Sequence, residues 1–250
     1  MASMIFLIAA CFAAAFIDAI AGGGGLISLP AYLIAGFPPH MALGTNKFSS
    51  SWGSLFATAK FAKDRKIDFS LIKFMIPMSF IGAVLGVKSV LLIDQSFLGP
   101  VVMVLILFVG IYTIFSKSLG KVNQFSGATR KSAAAGMLLA FALGFYDGFF
   151  GPGTGTFIIF GLMYIFRFDF VHANGNAKAL NLTSNIASLI TFAMSAKIDY
   201  AIGIPVALAM IAGGQLGARA AVKNGYKLIK PVFVVMSFGV FIKLLSGYLW

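Results

Sequence analysis

Apolar and polar positions alternate in long blocks along this chain. Apolar segments at 3–21, 24–36, 41–60, 70–91 and 98–115 are followed by a second set at 131–150, 153–167, 171–195, 199–221 and 229–249. Each set of five predicts membrane-length helices, with two exceptions. The segments at 24–36 and 153–167 fall short of the roughly 20 residues that a spanning helix needs. Both follow glycine clusters, Gly22–Gly25 and Gly151–Gly155, and are read as short or broken helices. Whether they fully cross is left open by length alone.

The two sets are copies. From Gly44 onward they stay in register at an offset of 131 residues. Gly44 matches Gly175, Lys47 matches Lys178, and Ile67-Asp68 matches Ile198-Asp199. Gly82 matches Gly213, Gly86 matches Gly217, and Pro100 matches Pro231. Internal repeats with glycine breaks in apolar sequence are the pattern of repeat-built transporters. The expected division is repeat 1 over 1–116, a cytoplasmic linker over 117–130, and repeat 2 over 131–250, all within one transmembrane domain.

Composition removes the soluble alternative. Sixty per cent of residues are hydrophobic and 10% are charged, against roughly 25% charged in a soluble domain. The net charge of +12 suggests nucleic acid until its distribution is read. Basic residues cluster between apolar spans, where orientation signals sit, and no nucleic-acid motif accompanies them. The N-terminus lacks the positive region of a cleaved signal peptide. Cys11 is a small buried hydrophobe.

The basic clusters also set the topology. Lys60, Lys63, Arg65 and Lys66 follow the third span; Lys117, Lys121, Arg130 and Lys131 flank the linker; Arg219, Lys223, Lys227 and Lys230 follow the ninth. All are cytoplasmic by the positive-inside rule. The rich loop follows the third span in one copy and the fourth in the other. Two five-segment repeats with inverted topology are therefore expected, in an all-α polytopic membrane protein. Four crossings plus a re-entrant hairpin per copy is the alternative, and it would misplace one cluster.

The chemistry concentrates on the third and eighth spans. Lys47 and Lys178 each lie about seven residues inside, roughly 10 Å deep at 1.5 Å per residue. A charge there costs about 2.5–3.5 kcal/mol on insertion scales. It needs a partner or a wet cavity, unless the side chain snorkels to the interface. Polar residues continue from each lysine at helical spacing: Ser50, Ser54 and Thr58 in one copy, Asn181, Asn185 and Ser188 in the other. One face of each helix is therefore polar. Such a stripe lines a site or holds helices together.

Further donors lie close in sequence. Gly24 and Gly25, and Gly153 and Thr154, open the short segments, whose amide ends favour anions. Thr45 and Asn46, and Asn176, precede or adjoin the lysines. Asp18 and Asp147 recur ahead of the glycines. Depth counting sets Asp18 beside Lys178 and Asp147 beside Lys47. Cross-repeat ion pairs, a proton-coupling role and plain helix-end carboxylates are all consistent with that placement. His40 and His172 are expected at the interface.

Ala21-Gly-Gly-Gly-Gly-Leu-Ile with Pro30, Ala42-Leu-Gly-Thr-Asn-Lys47, Gly144-Phe-Tyr-Asp-Gly-Phe-Phe-Gly-Pro-Gly-Thr-Gly155 and Asn176-Ala-Lys178 together resemble the TauE/SafE family of membrane permeases. The resemblance runs over essentially the whole chain. Gly-Pro-Gly-Thr-Gly departs from the plainer glycine triplet of many members, which suggests a subgroup with its own substrate. The family implies a secondary transporter of the bacterial inner membrane for sulfite or an organosulfonate, working by alternating access at a midplane site. Another small anion, such as a carboxylate, is the alternative. A membrane-embedded enzyme would need a nucleophile–base pair or metal ligands. One Cys, two His and no Glu supply neither, so no enzyme, metal or cofactor is expected. The implied partners are a small anion and the lipid bilayer, with a homo-oligomer as a further option.

Overall fold

The computed structural model describes residues 2–94 and 122–224. The described residues form eight helices: α1 (Ala2–Ala21), α2 (Gly25–Ile34), α3 (Pro39–Lys63), α4 (Phe69–Leu91), α5 (Arg130–Phe149), α6 (Thr154–Phe166), α7 (Phe170–Met194) and α8 (Tyr200–Asn224). The expected segments at 98–115 and 229–249, with Pro100 and Pro231, lie outside the described residues.

Among the described residues, four helices are long and apolar enough to cross a membrane: α1, α4, α5 and α8. Their outward faces carry large apolar side chains such as Ile5, Phe74, Leu138 and Leu208, each more than half exposed. Exposure on that scale suits hydrocarbon, not water. α3 and α7 match α8 in length, at 25 residues each, but their sequences are more polar. They sit inside, with most of their side chains buried. α2 has 10 residues and α6 has 13, so neither reaches across about 30 Å of hydrocarbon.

The helices of one copy pack mainly on those of the other. Gly213 and Gly217 of α8 admit the backbone of α1 at Phe12 and Phe16, and their matched glycines Gly82 and Gly86 of α4 admit α5 at Phe141 and Phe145. A methyl at any of these four would come within 2.4 Å of a backbone oxygen, so only glycine permits the approach. Both pairs advance together, so α1 runs parallel to α8 and α4 parallel to α5. α3 also runs parallel to α8: the Asp199 N–H donates to Thr45 Oγ1 (3.0 Å), and Ser49 Oγ donates to the Gly203 carbonyl (3.0 Å). α3 and α7 cross in opposite senses, with Lys47 bonded to Asn185 and Ser54 to Asn181.

Details repeat at the shared offset. α3 and α7 each end with a residue of positive φ, Arg65 (56°) and Ala196 (52°). In each, a 6→1 bond (Lys66 N–H to Phe61 O; Lys197 N–H to Phe192 O) closes the helix as a Schellman turn. The turn after α3 packs its Lys66 carbonyl on Gly175 at the head of α7, and the turn after α7 packs its Lys197 carbonyl on Gly44 of α3. At the linker, Phe125 stacks on Phe168 at 4.4 Å, and the Gln124 N–H donates to the Arg167 carbonyl.

Candidate functional site

The glycine clusters bring the site together. α1 and α5 each stop at a carboxylate-glycine sequence, and positive φ at Gly22 (75°) and Gly151 (98°) turns the chain into α2 and α6. These two turns meet in the centre, where a side chain on Gly22 would lie 2.4 Å from the Thr156 amide. The N-termini of both short helices thus open beside the polar faces of α3 and α7. Between them lies a cavity of about 50 Å³, above the ~10–15 Å³ that one water needs.

Both lysines are buried and both are paired across the copies. Lys47 Nζ lies 2.8 Å from Asp147 Oδ2, with side-chain exposures of 4% and 2%. Lys178 Nζ pairs with Asp18 Oδ2. The snorkelling alternative is therefore excluded for this conformation: neither ammonium reaches the interface. The surroundings of the pairs differ. Asp147 also accepts a 2.6 Å bond from Ser184 Oγ, and Lys47 donates to Asn185 Oδ1 at 3.0 Å. Asp18 accepts from the Gly24 N–H at 3.0 Å, and its side chain keeps 23% exposure.

Most expected site residues meet here. Asp18, Gly24, Gly25, Asn46, Lys47, Ser50 and Ser54 line the cavity from one copy, and Asp147, Gly153, Asn181 and Asn185 from the other. Ser54 and Asn185 occupy matched positions and bond to each other, Asn185 Nδ2 donating to Ser54 Oγ at 3.2 Å. The hydroxyls and amides therefore form a site lining and a helix–helix bridge at once.

Four expected residues do not line the cavity. Lys178 is 1% exposed and covered by its partner Asp18. Thr154 turns its hydroxyl back to the Gly151 carbonyl at 2.7 Å. Thr45 accepts from the Asp199 N–H, and its counterpart Asn176 accepts from the Asp68 N–H at 2.9 Å. Asp68 and Asp199 start the following helices, so Thr45 and Asn176 fasten the ends of α4 and α8. His40 is buried as well, its Nε2 3.1 Å from the Val90 carbonyl. It lies at the start of α3, where α4 ends against it. His172 sits half-buried on Asp169 at 2.7 Å.

Sequence reasoning missed several members. Ser184 lies beside the lysine stripe, three residues after Asn181 and next to Asn185. Gly151 presents its open side to Lys47, where a Cβ would be 3.2 Å from Nζ. Ser28, Gly53 and Met210 also line the cavity. Ser28 falls three residues into α2, a signal the helical period of that segment contained. Met210 had none, since a methionine in an apolar span reads as packing. No group of three or more His, Cys, Asp or Glu that would hold a metal occurs among the described residues.

A charged cavity among helices apolar enough to cross a membrane is the arrangement expected of a membrane transport protein. Comparison with known proteins agrees. The family model for the sulfite exporter TauE/SafE matches residues 7–244, and the chain belongs to that family, a family of transporters and not of enzymes. A "probable membrane transporter protein" of Haemophilus influenzae is 39% identical over 240 residues, covering 96% of this chain and 93% of its own length. The "probable membrane transporter protein ORF9" of a Sinorhizobium species is 36% identical, covering 97% and 92%. The "probable membrane transporter protein YfcA" of Escherichia coli K12 is 35% identical, covering 90% and 82%. No solved structure matches the chain at a significant level.

Proposed function

We propose that this protein carries a small oxyanion, sulfite or an organosulfonate, across the bacterial inner membrane, by alternating access at the cavity between two inverted repeats. The observation that carries the reading is Lys47: an ammonium 3% exposed, set on the cavity wall among hydroxyl, amide and glycine N–H donors. An oxyanion has several acceptor oxygens and takes bonds from such a set together. The Gly24 and Gly153 caps of α2 and α6 add helix N-termini, which favour negative charge. Two carboxylates share the cavity, and the lysines offset them.

Size supports the smaller members of the class. A cavity of about 50 Å³ suits one sulfur with its oxygens. A longer organosulfonate requires the cavity to widen. A small carboxylate is the second candidate, with two acceptor oxygens for the same donors.

Three observations support the inverted arrangement. Matched contacts are reciprocal: Lys47–Asp147 with Lys178–Asp18, and Thr45–Asp199 with Asn176–Asp68. The matched helices α3 and α7 run in opposite senses. The basic residues gather at one end, because α8, parallel to α3, carries Arg219 and Lys223 towards the end where α3 carries Lys60 and Lys63. That end is cytoplasmic by the positive-inside rule.

Flux of labelled sulfite, methanesulfonate and acetate into proteoliposomes tests the function. The oxyanions of sulfur should enter at rates well above empty vesicles and above acetate. Lys47→Ala and Lys178→Ala should each lower that flux at least tenfold at equal protein, and Lys63→Ala, at an exposed position, should not. Wild-type flux in both buried-site variants overturns the assignment.

A further inference from the structure

The charges of the site cancel. Two ammonium groups face two carboxylates, each pair in direct contact. A site of net charge zero has no ammonium to spare for an anion. An entering anion must either push a carboxylate aside, placing two negative charges together, or enter when a carboxylate has lost its charge. The first is opposed by repulsion in a low-dielectric cavity. The second needs a proton.

The two carboxylates are unequal candidates for that proton. Asp147 is 2% exposed and held on three sides, by Lys47 from α3, by Ser184 from α7 and by the turn at Gly151. Asp18 keeps 23% exposure and opens on the cavity. Around it stand Lys178 from α7, Lys47 from α3 and Asp147 from the end of α5, with the Gly24 N–H of α2 on Oδ1 and Gly155 of α6 at its side. α8 brings Met210 to the same cavity and no charged group. Lys178 is the site lysine that the cavity does not reach, and its partner Asp18 does reach it.

We propose that Asp18 is the proton-exchanging group of this transporter, and that each anion moves together with one proton carried on its carboxylate. This rests on the anion-transport reading above. The balance is complete. Asp18 takes one proton from water and becomes neutral, its contact with Lys178 loosens, and the Lys178 ammonium turns to the anion. The pair passes from one positive and one negative charge to one positive charge, and the anion restores neutrality. The loaded site holds one proton and one monoanion, and the empty site holds the closed ion pair. Both forms that cross between access states are neutral, so the cycle moves no net charge for a monoanion.

The test uses methanesulfonate, which stays a monoanion across the neutral range and cannot bring a proton of its own. Purified full-length protein in proteoliposomes, with a pH dye trapped inside, should show one proton entering per methanesulfonate. One unit of pH gradient, acid outside, should raise accumulation about tenfold. A potassium diffusion potential set with valinomycin should leave the wild-type rate unchanged. Asp18→Asn should end proton movement and net uptake, because its empty site would cross with a bare ammonium, while exchange of labelled for unlabelled methanesulfonate persists at a reduced rate. Methanesulfonate uptake without proton movement, or with a rate set by the potential, overturns the inference and leaves the transport reading standing. Proton movement that survives in Asp18→Asn and is lost in Asp147→Asn also overturns it. Absence of any methanesulfonate flux in wild type, with sulfite flux intact, removes sulfonates from the substrate class. The proton count is then taken with bisulfite, corrected for the acid's own titration, against Asp18→Asn. Absence of flux for both overturns the function and this inference with it. Should Asp18→Asn fail to fold, Asp18→Glu, which keeps a carboxyl and displaces it, takes its place: a changed pH dependence of uptake supports the assignment, and the wild-type dependence overturns it.

Discussion

Lys47–Asp147 and Lys178–Asp18 are the same chemistry at matched places in two copies of one sequence, yet they are not the same pair. The first is sealed, with a hydroxyl and an amide completing its shell. Both pairs border the cavity, but the second leaves its carboxylate 23% exposed where the first leaves 2%. Sequence identity of the charged residues conceals this, because the difference lies in their neighbours. Ser184 and Asn185 complete the first pair, and a backbone amide takes the corresponding place in the second. The two pairs carry the same charges, and the groups around them enclose one carboxylate and leave the other partly exposed.

Breaking the sealed pair should have the largest effect. Removing one partner of a buried pair costs about 3–5 kcal/mol, because the other charge is left alone. Asp147→Asn should therefore lower thermal stability in detergent far more than Asp18→Asn, for which roughly 1–3 kcal/mol is expected. Combining Lys47→Gln with Asp147→Asn should recover much of the loss without recovering transport. Equal losses in the two Asp variants, or additive losses in the double variant, would remove the distinction between the pairs.

Ser184→Ala sharpens the comparison at intermediate size. It deletes the 2.6 Å bond to Asp147 and leaves both lysines in place, at a cost of roughly 1–3 kcal/mol for a bond to a charged group. It should also loosen Asp147 enough to add a second proton-exchanging carboxylate. A proton-to-anion ratio that rises above the wild-type value would show this, and an unchanged ratio together with unchanged stability would show that Ser184 does not seal the pair.

The smallest effects belong to Thr45→Val and Asn176→Leu. Each removes one hydrogen bond to the start of a following helix, worth about 0.5–1.5 kcal/mol. Half-saturating anion concentration should not move in either. A shift of several-fold would return these residues to the site.

Much of this was legible in the sequence because helices have a fixed rise and period. Counting turns from the span ends set Asp18 level with Lys178 and Asp147 level with Lys47, once the copies were taken to run oppositely. The stripe of Ser50, Ser54, Asn181 and Asn185 followed from the 3.6-residue period alone. The element ends at α3, α4, α5 and α7 differ from the expected ones by three residues or fewer. Period does not report which of two polar groups a side chain will choose. Thr45 and Asn176 sit on the right helices and serve the neighbouring backbone, since an N–H at a helix start must find a partner. Nor does it report shielding: α3 and α7 read as spans like the others, but most of their side chains are buried among the four more apolar helices.

The partition of contacts between copies has a consequence for the making of the protein. Asp18 and Lys178 are separated by 160 residues of chain. At about 5–20 residues per second, the ribosome needs on the order of 10–30 s to supply the cation after the anion has emerged. During that interval α1 lacks α8 as well, and its only neighbours are lipid, the insertion machinery and the rest of its own copy. A charged carboxylate in that setting is costly, and a protonated one is cheap. Asp18 thus enters the membrane without its cation, and the cost of its burial is offset only when α7 delivers Lys178.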